Sequence, residues 1–376
     1  MANIKLVEQE IARIEEGANK RQIEAAKLYF AAKAGDLRAK LMLQEGISSS
    51  DIPTLLRPTI QVEFLAAYAL QPVVWDMIAE EYTVDDFGLI KFGDFQIDTS
   101  SLVNGNGETL VNGGLPVVGE YDEYSAVNFN TVESNVSIDR KHGVRARMSW
   151  ESLRRVGNFD IISKFTNYFA EAAALQEDIS LAKLFLTTAG TVGSAFTGKN
   201  LVSNAALSLT TLDEARTQSR AARVNGRPIG ATNFKLIHGA NLTSTVENLF
   251  SIQTIQRTDG NGIYDINASS ITGSYSAIEF PTLDLVGSSV TAGASDDFWF
   301  LVPTQTTRPT FYETFLSGAR TPLISIKDSG HMSLAGGEVP VREGSFDEDD
   351  IQTRVRHVVE AVNVTNDGFV YSTSAG

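Results

Sequence analysis

The sequence predicts an α+β fold in which an extended hairpin, a long helix and a compact unit of alternating strands and helices follow one another. Apolar residues recur at steps of three or four over 158–190, which is the pattern of one helix face. Two strand patterns flank a glycine-rich stretch within 87–148, as in a hairpin with a long tip. Strand and helix patterns then alternate over 200–325.

The composition is that of a globular protein and excludes several kinds of site. The 376 residues carry a net charge of −15 and no cysteine, which excludes disulfides, thiolate zinc sites and cysteine nucleophiles. The acidic balance argues against a nucleic-acid reader, since phosphate binding needs clustered Lys and Arg. No apolar run approaches the length of a membrane span and the N-terminus lacks a signal-peptide pattern, so we expect no membrane partner.

The first 58 residues are predicted to form a helical arm followed by a linker. A 3-4 apolar spacing runs over 3–34, whereas 46–58 contains Pro53 and Pro58, which exclude a continuous helix. Two interpretations of the arm stay open: a helix packed on its own subunit, or a segment that engages another chain. A short helix and then a buried turn are expected over 59–81.

The hairpin within 87–148 has an unusual charge. Its glycine-rich tip includes Gly105, Gly107, Gly113 and Gly114. Residues 92–139 contain eight acidic side chains and no Lys or Arg. A long arm with one sign of charge packs poorly on its own domain, so we expect it to lie over a neighbouring subunit.

The long helix is predicted to begin at Asn158 or Asp160, either of which can cap it, and to end at Gly190. Its predicted apolar face consists of Ile161, Phe165, Phe169, Ala172, Leu175, Ile179, Ala182 and Leu186. Its predicted polar face, expected to be solvated or turned towards another subunit, consists of Ser163, Lys164, Asn167, Glu171, Gln176, Asp178 and Lys183.

The segment after the long helix is predicted as short elements around buried strands, which together indicate a compact α/β unit. In order, they are a helix from the capping-box spacing at Thr211 to about 223, a buried strand at 234–238, a helix from Asn241 to 250, a turn-rich segment at 258–275 and a buried strand at 298–302.

The C-terminal pattern predicts a two-faced strand and a hairpin. Over 351–364, one predicted side consists of Ile351, Thr353, Val355, His357 and Val359, and the other consists of Gln352, Arg354 and Arg356. The Asn-Asp-Gly run at 366–368 predicts a hairpin turn into 369–371. The acidic run at 347–350 is expected to be a solvated edge rather than a metal site.

One segment comes close to a phosphate-binding loop. Gly193 to Lys199 fits the spacing G-x-x-x-x-G-K, but Asn200 stands where Ser or Thr would hold Mg²⁺. The segment also follows a long helix instead of a strand. A glycine-rich connection is therefore the favoured interpretation.

No other pattern indicates catalysis. The histidines stand singly, each expected to pack or to form a hydrogen bond: His142, His238, His331 and His357. Neither a metal site nor a cofactor site is predicted, and we expect no enzymatic activity.

Two stretches, in fixed order, match the pattern of one known family. The first is Met148-Ser149-Trp150-Glu151-Ser152-Leu153, then Asp160-Ile161-Ile162, then the run from Ala170 to the Glu177-Asp178 pair. The second is Gly344-Ser345-Phe346, Asp350-Ile351 and Arg354-Val355-Arg356. Both stretches resemble parts of the major capsid proteins of tailed bacteriophages, whose fold is shared with encapsulin shells. The first resembles the family's S-x-E-x-L strand end and the spine helix after it, and the second resembles the family's closing strand. The resemblance covers the chain from about residue 55 to the end.

The resemblance implies a tailed-phage major capsid fold with an N-terminal arm, an extended β-hairpin loop, a long spine helix, and peripheral and axial domains. The implied boundaries are 1–58 for the arm and linker, 59–148 for peripheral-domain strands with the extended loop at about 92–127, 149–199 for the spine helix, 200–325 for the axial domain and 326–376 for the closing peripheral strands.

The function that the resemblance implies is structural. The chain would assemble with itself, as pentamers and hexamers, into an icosahedral shell around double-stranded DNA, without reading the DNA sequence. Portal, scaffolding or decoration proteins would be further partners, and the chain would be located in the virion capsid after assembly in the host cytoplasm. Two alternatives stay open: an encapsulin-type compartment shell and, more remotely, a nucleotide-dependent enzyme that uses the Gly193–Lys199 loop.

The glycines of the loop tip are the predicted assembly residues, and they can be tested directly. Valine at Gly105, Gly107, Gly113 and Gly114 removes backbone freedom that a bending or swinging hairpin needs. We expect electron micrographs to show fewer closed or expanded particles from this variant than from the unchanged chain. Normal particles from the variant would contradict the assigned role.

Overall fold

The computed structural model describes most of the chain beyond residue 51. The described ranges are 52–97, 129–137, 140–149, 159–201, 206–224, 227–251, 254–259, 262–267, 273–287, 298–304, 310–327 and 350–373, with a few residues between 26 and 39. Helices and strands both occur in them, which confirms the α+β class. Most of the predicted arm, the loop-tip glycines and His331 lie outside the described residues.

The elements are named here in chain order. The helices whose bounds are described are α1 (Ile52–Ala69), α2 (Trp75–Ile78), α3 (Phe159–Phe185), α4 (Leu209–Ala221), α5 (Thr243–Ser251) and α6 (Thr282–Gly287). The described strands of the first half are β1 (Glu80–Val84), β2 (Leu89–Ile97), β3 (Phe129–Ser137), β4 (His142–Ser149), β5 (Asn200–Leu201), β6 (Arg223–Val224), β7 (Arg227–Pro228) and β8 (Phe234–His238). The later ones are β9 (Thr254–Asp259), β10 (Gly262–Asn267), β11 (Tyr275–Glu279), β12 (Trp299–Pro303), β13 (Phe311–Leu316), β14 (Leu323–Ile326), β15 (Asp350–His357), β16 (Val359–Asn363) and β17 (Val370–Ser372).

The chain divides into two compact units, each assembled from three stretches. Unit 1 comprises Met1–Val73, Arg140–Glu177 and Phe315–Val359. Unit 2 comprises Val74–Asp139, Asp178–Thr314 and Glu360–Gly376. The assignment of peripheral and axial domains stays a prediction.

Unit 1 is built on a three-stranded antiparallel sheet of order β14-β15-β4. One face of this sheet packs on α1 and α3. The buried side chains of this core come from α1 (Ile60, Phe64, Leu65, Tyr68), from α3 (Phe169, Ala170, Ala173, Ala174) and from the sheet (Ile324, Val355).

Helix α1 shows that the predicted linker at 46–58 was wrong in its second half. The helix begins at Ile52, so Pro53 lies in the first turn, where a missing N–H costs no helical hydrogen bond. Pro58 lies further in, where proline costs about 3 kcal/mol. Phe64 and Leu65 are fully buried, and each such side chain contributes roughly 1.5–3 kcal/mol. Core packing therefore outweighs the helix-breaking preference.

Helix α3 confirms the predicted long helix but corrects its end and its faces. It has 27 residues and ends at Phe185 rather than Gly190, so it spans about 40 Å. Leu175, predicted on the apolar face, is 38% exposed. Asp178, predicted on the polar face, is only 5% exposed. The buried residues of the helix include Ala173 and Ala174 in unit 1 and Leu181, Ala182 and Phe185 in unit 2.

Unit 2 contains a five-stranded mixed sheet of order β11-β8-β12-β17-β5. Strand β8 is parallel to β11 and antiparallel to β12, and β17 is parallel to β5. The predicted buried strands at 234–238 and 298–302 are both confirmed at its centre. Its core includes Leu212, Phe234, Leu236, Trp299, Leu301 and Val370.

The C-terminal hairpin prediction was wrong in its pairing. Gly368 has a positive φ of 71°, so the predicted turn exists. Strand β17 then pairs with β12 and β5, whereas β16 belongs to a second sheet of order β1-β13-β16. Buried strands elsewhere in the chain compete for the same backbone groups, and the turn alone does not decide the partner.

Three local predictions in unit 2 are also corrected. The turn-rich segment at 258–275 contains an antiparallel hairpin, in which β9 pairs with β10. Ser208, not Thr211, is the N-cap of α4, and Thr211 is the third residue of the helix, where it completes the capping box. Asn241 lies inside a 3-10 turn, Ala240–Leu242, and α5 begins after it.

Among the described helices, none combines the length and the apolar character that a membrane span requires.

An aromatic cluster in unit 2 surrounds the last residue of α3. The Phe185 ring lies 5.1–5.3 Å from the rings of Phe196, Phe300 and Phe311, measured between centroids. The same ring lies 6.3 Å from Phe280. These geometries are typical of attractive ring contacts, which add to the burial of apolar area.

We expect Phe185→Ala to lower the free energy of unfolding by about 3–5 kcal/mol, because it empties this fully buried position. Tyr168→Ala on the same helix is the control, since that ring is 60% exposed and its removal should cost less than about 1 kcal/mol. Urea unfolding of the unassembled chain, followed by circular dichroism, measures both. Equal losses in the two variants would contradict this description of the core.

Candidate functional site

The most elaborate polar arrangement of unit 1 surrounds Glu177 of α3. Its Oε1 atom accepts a hydrogen bond from the Tyr68 hydroxyl of α1. It lies 2.9 Å from His357 Nε2 of β15 and 3.8 Å from Arg320 Nη1. We call these four residues the Glu177 cluster. Glu177 is fully buried, and Tyr68 and His357 are each 3% exposed.

The environment of Glu177 favours its ionised form. Burial by itself raises the pKa of a carboxyl group, but the hydrogen bond and charge of His357 and the charge of Arg320 lower the pKa of Glu177 below its ordinary value. Burial and the neighbouring carboxylate raise the pKa of Tyr68 well above its ordinary value. Arg320 also lies over the Phe315 ring, with its guanidinium carbon 3.5 Å from the ring centroid. Three of its four residues are almost completely buried, so the cluster stabilises the contact between α1, α3 and β15 inside unit 1.

The next residue along the helix, Asp178, binds the start of α2 in unit 2. Its Oδ1 accepts hydrogen bonds from the backbone N–H groups of Val74, at 3.0 Å, and Trp75, at 2.9 Å. These groups begin helix α2, where a carboxylate satisfies free donors and complements the helix dipole.

The phosphate-loop candidate is a closed connection in the structure. The N–H groups of Gly193, Ala195, Phe196, Thr197 and Lys199 all donate to backbone carbonyls, so they are not available to cradle a phosphate. A Cβ atom on Gly193 would lie 2.3 Å from the Leu184 carbonyl oxygen, which explains why glycine stands there. The segment joins α3 to the short strand β5 and precedes no helix.

Two of the described histidines make clear local contacts. His238 is 2% exposed, and its Nδ1 lies 2.9 Å from the carbonyl oxygen of Gly239. His357 belongs to the Glu177 cluster. Within the described ranges, no group of His, Asp and Glu side chains could hold a metal ion.

The predicted extended hairpin is confirmed at its base. Strands β2 and β3 pair antiparallel in register from Leu89 opposite Ser137 to Ile97 opposite Phe129. The tip glycines Gly105, Gly107, Gly113 and Gly114 lie outside the described residues, so their role stays a prediction. Asp94 and Glu133 are the acidic residues on the described strands.

The outer face of the unit 1 sheet carries a cluster of cations. Opposite residues of antiparallel strands share a face. Arg145 lies opposite Arg354, and Arg147 lies opposite Gln352. Arg356 lies two residues along β15 on the same face. Lys327 follows β14, and its backbone N–H donates to the carbonyl oxygen of Gln352. We call Arg145, Arg147, Lys327, Arg354 and Arg356 the basic face; all five are exposed.

Sequence reasoning found only part of these arrangements. It placed His357 on the buried side and Arg354 and Arg356 on the other side of one strand, and the structure confirms this alternation. It missed the Glu177 cluster and the basic face as units. The spacing of Ala173, Ala174 and Glu177 along α3 was a usable signal, because it places a carboxylate in the buried stripe.

Comparison with known proteins gives one family. The model of the family described as phage capsid protein matches residues 131–372, which is more than half of the chain. No match is found among curated proteins.

Several solved structures show a weak likeness. A virus-like particle from Pyrococcus furiosus has a TM-score of 0.42 and 10% identity, covering 83% of this chain and 97% of that chain. Mycobacterium phage Che8 has a TM-score of 0.46 and 13% identity, covering 81% and 92%. The capsid of Myoviridae phage XM1 has a TM-score of 0.45 and 11% identity, covering 78% and 88%. At these TM-scores the family match alone carries the assignment.

The Glu177 cluster predicts a large effect from a small substitution. Glu177→Gln keeps the side-chain size but leaves Arg320 without its buried carboxylate. Because removing one partner of a buried pair is strongly destabilising, we expect a loss of about 3 kcal/mol at neutral pH. Glu171→Gln, at an exposed position of the same helix, is the matched control and should change stability by less than about 0.5 kcal/mol.

The cluster also predicts a pH dependence. A carboxyl group with a lowered pKa stabilises the folded state above its unfolded pKa, about 4.3, and the effect is lost as pH falls through the folded pKa. The unchanged chain should therefore lose stability more steeply than Glu177→Gln as pH falls below about 4.3. Thermal unfolding from pH 7 to pH 3 measures both slopes, and parallel curves would show that Glu177 has no such role.

Proposed function

The chain belongs to the phage capsid protein family, and we propose that it is the major capsid protein of a tailed phage. In this proposal, copies of the chain assemble as pentamers and hexamers into an icosahedral shell that encloses double-stranded DNA. The family match over residues 131–372 is the observation that carries the proposal. The activity is structural and needs no catalytic group or cofactor.

The hairpin supports a role in which one copy overlaps the next. Its strands β2 and β3 form a two-stranded sheet of their own. An isolated two-stranded hairpin is at best marginally stable in water. The long acidic segment between the strands therefore gains most when another surface supports it, and neighbouring subunits of a shell supply such a surface in every copy.

The interior of the two units supports the same role. The described part of unit 1 is fastened by the Glu177 cluster and that of unit 2 by aromatic packing around Phe185. A shell subunit needs units that keep their form while the contacts between copies are made. In the phosphate-loop candidate, the N–H groups of the segment donate to backbone carbonyls of the chain itself. This favours the structural role over the remote nucleotide-dependent alternative.

The net charge of −15 is compatible with a container for DNA. A surface of carboxylates repels phosphate and does not clamp a packaged duplex. In the proposal, DNA is therefore enclosed without sequence readout, and the assembled chain is found in the virion after assembly in the host cytoplasm. Portal, scaffolding and decoration proteins are proposed as further partners.

The proposal predicts the size of the purified protein. We expect negative-stain electron microscopy to show uniform closed shells, or free five- and six-fold rings, with a mass by light scattering that is a large multiple of 40.8 kDa. A monodisperse monomer or dimer that resists assembly in the presence of other virion proteins would overturn the proposal.

The enclosed material separates a virus from a protein compartment. Particles isolated from producing cells should protect long double-stranded DNA from added nuclease, and DNA released by heating is measured on a gel. Particles that hold enzymes and no long DNA would instead support the compartment-shell alternative, with the same subunit and a different cargo.

A further inference from the structure

The sheet of unit 1 brings together three cations of the basic face from distant parts of the chain. The strand register places Ser325 of β14, Arg354 of β15 and Arg145 of β4 in one row across the three strands. Lys327 follows β14, and its backbone N–H donates to the carbonyl oxygen of Gln352. Gln352 lies two positions before Arg354 and therefore on the same face of β15. The fold thus places Arg145, Lys327 and Arg354 around one buried glutamine.

Placing these three cations together costs stability. Arg145 and Arg354 lie directly opposite each other on neighbouring strands, and like charges in this position destabilise a sheet. Among the carboxylates that the structure describes, none forms an ion pair with Arg145, Lys327 or Arg354. An anion bound between the three cations would therefore offset their repulsion.

The surface between the cations is a recess of about 400 Å³. It is lined by the three cations and by three polar side chains: Arg145, Lys327, Arg354, Ser325, Gln352 and Thr353. Binding sites for small molecules have volumes of roughly 300–1,000 Å³. A nucleic-acid strand is instead held by cations that follow its backbone along a groove or stripe. The shape of the recess therefore favours a small ligand.

Hydrogen bonds within the recess orient both guanidinium groups before a ligand is bound. Arg145 Nη1 donates to Gln352 Oε1 at 3.3 Å, and Gln352 is only 7% exposed. Arg354 Nε donates to Ser325 Oγ at 3.2 Å. A guanidinium group carries five N–H donors, so each arginine keeps further donors for an anion. Such prior orientation lowers the entropic cost of binding.

We propose that this recess binds a small anion with two phosphate groups, either inorganic diphosphate or a diphosphate ester. A phosphate group carries about −1.5 to −2 charges at pH 7, so two groups balance three cations, whereas a single carboxylate does not. Guanidinium groups form paired hydrogen bonds with phosphate, and lysine is a common phosphate binder. The hydroxyl groups of Ser325 and Thr353 are further donors. The proposal goes beyond the shell function and does not rest on it, because every lining residue belongs to unit 1 of one chain.

The site links the stability of the chain to the anion. Arg145 and Gln352 are 207 residues apart in the chain, so the recess exists only in the folded sheet. A ligand that binds the folded state alone stabilises it by mass action. Sodium diphosphate should therefore raise the midpoint of thermal unfolding more than sodium chloride at the same ionic strength, since general screening of charge is then equal.

Isothermal titration calorimetry of the purified chain with sodium diphosphate tests the site directly. At constant ionic strength we expect saturable binding, with one anion for each chain. Arg354→Gln and Arg145→Gln, each made alone, should weaken this binding by about tenfold or more, because each removes a charged hydrogen-bond donor from the recess. Circular dichroism shows whether each variant folds, and two separate variants keep the test valid if one of them does not.

A matched control and a second ligand complete the test. Lys164→Gln removes an exposed cation of the same unit outside the recess and should leave the affinity within about twofold. The absence of saturable binding, or equal losses in Lys164→Gln and Arg354→Gln, would overturn the proposal. A short DNA duplex is titrated in parallel, and binding of the duplex without binding of diphosphate would assign the recess to nucleic-acid phosphates and likewise overturn it. Shell formation is measured separately, so its failure would refute the shell function and leave this site intact.

Discussion

Two adjacent buried carboxylates on α3 each stabilise one of the two compact units. Glu177 closes the second stretch of unit 1 and is bound there by Tyr68, His357 and Arg320. Asp178 opens the second stretch of unit 2 and binds the first N–H groups of α2. Buried charges are stable only when they are paired and hydrogen-bonded, so the side chains around both carboxylates are constrained in position. Within unit 1, Glu177 thereby fixes the positions of α1 and β15, and within unit 2, Asp178 fixes the start of α2.

The sequence predicted the elements that are formed by local pattern. The periodicity of α3 and the apolar run of Phe234–His238 were sufficient because each buries a stripe or a face along its whole length. Prediction failed where distant parts of the chain decide the outcome. The local pattern predicts that Asp178 is solvated, because the backbone N–H groups that bind it belong to Val74 and Trp75, about 100 residues earlier. The turn at Gly368 is visible in the sequence, but β12, nearly 70 residues earlier, supplies the partner strand. Alternation along β15 places Arg354 and Arg356 on one side of the strand. Their neighbour Arg145 lies on another strand, so the sequence alone does not place it beside them; the strand register does.

The basic face of unit 1 and the acidic segment at 92–139 carry opposite charges. A single exposed ion pair contributes only roughly 0.2–1 kcal/mol and weakens with salt. Such a contact is nevertheless repeated in every copy of a shell, so weak pairs can direct assembly while each remains reversible. This division between stable interiors and weak complementary surfaces suits a capsid subunit, which must add and correct neighbours before a shell closes.

The central claim is that the subunit completes its charged surfaces with other copies of itself. Electron cryomicroscopy of assembled particles, at a resolution that shows side chains, tests it most directly. The account predicts closed shells in which the acidic hairpin of each subunit lies against a neighbouring copy. A hairpin that lies on its own subunit in every copy would contradict the account.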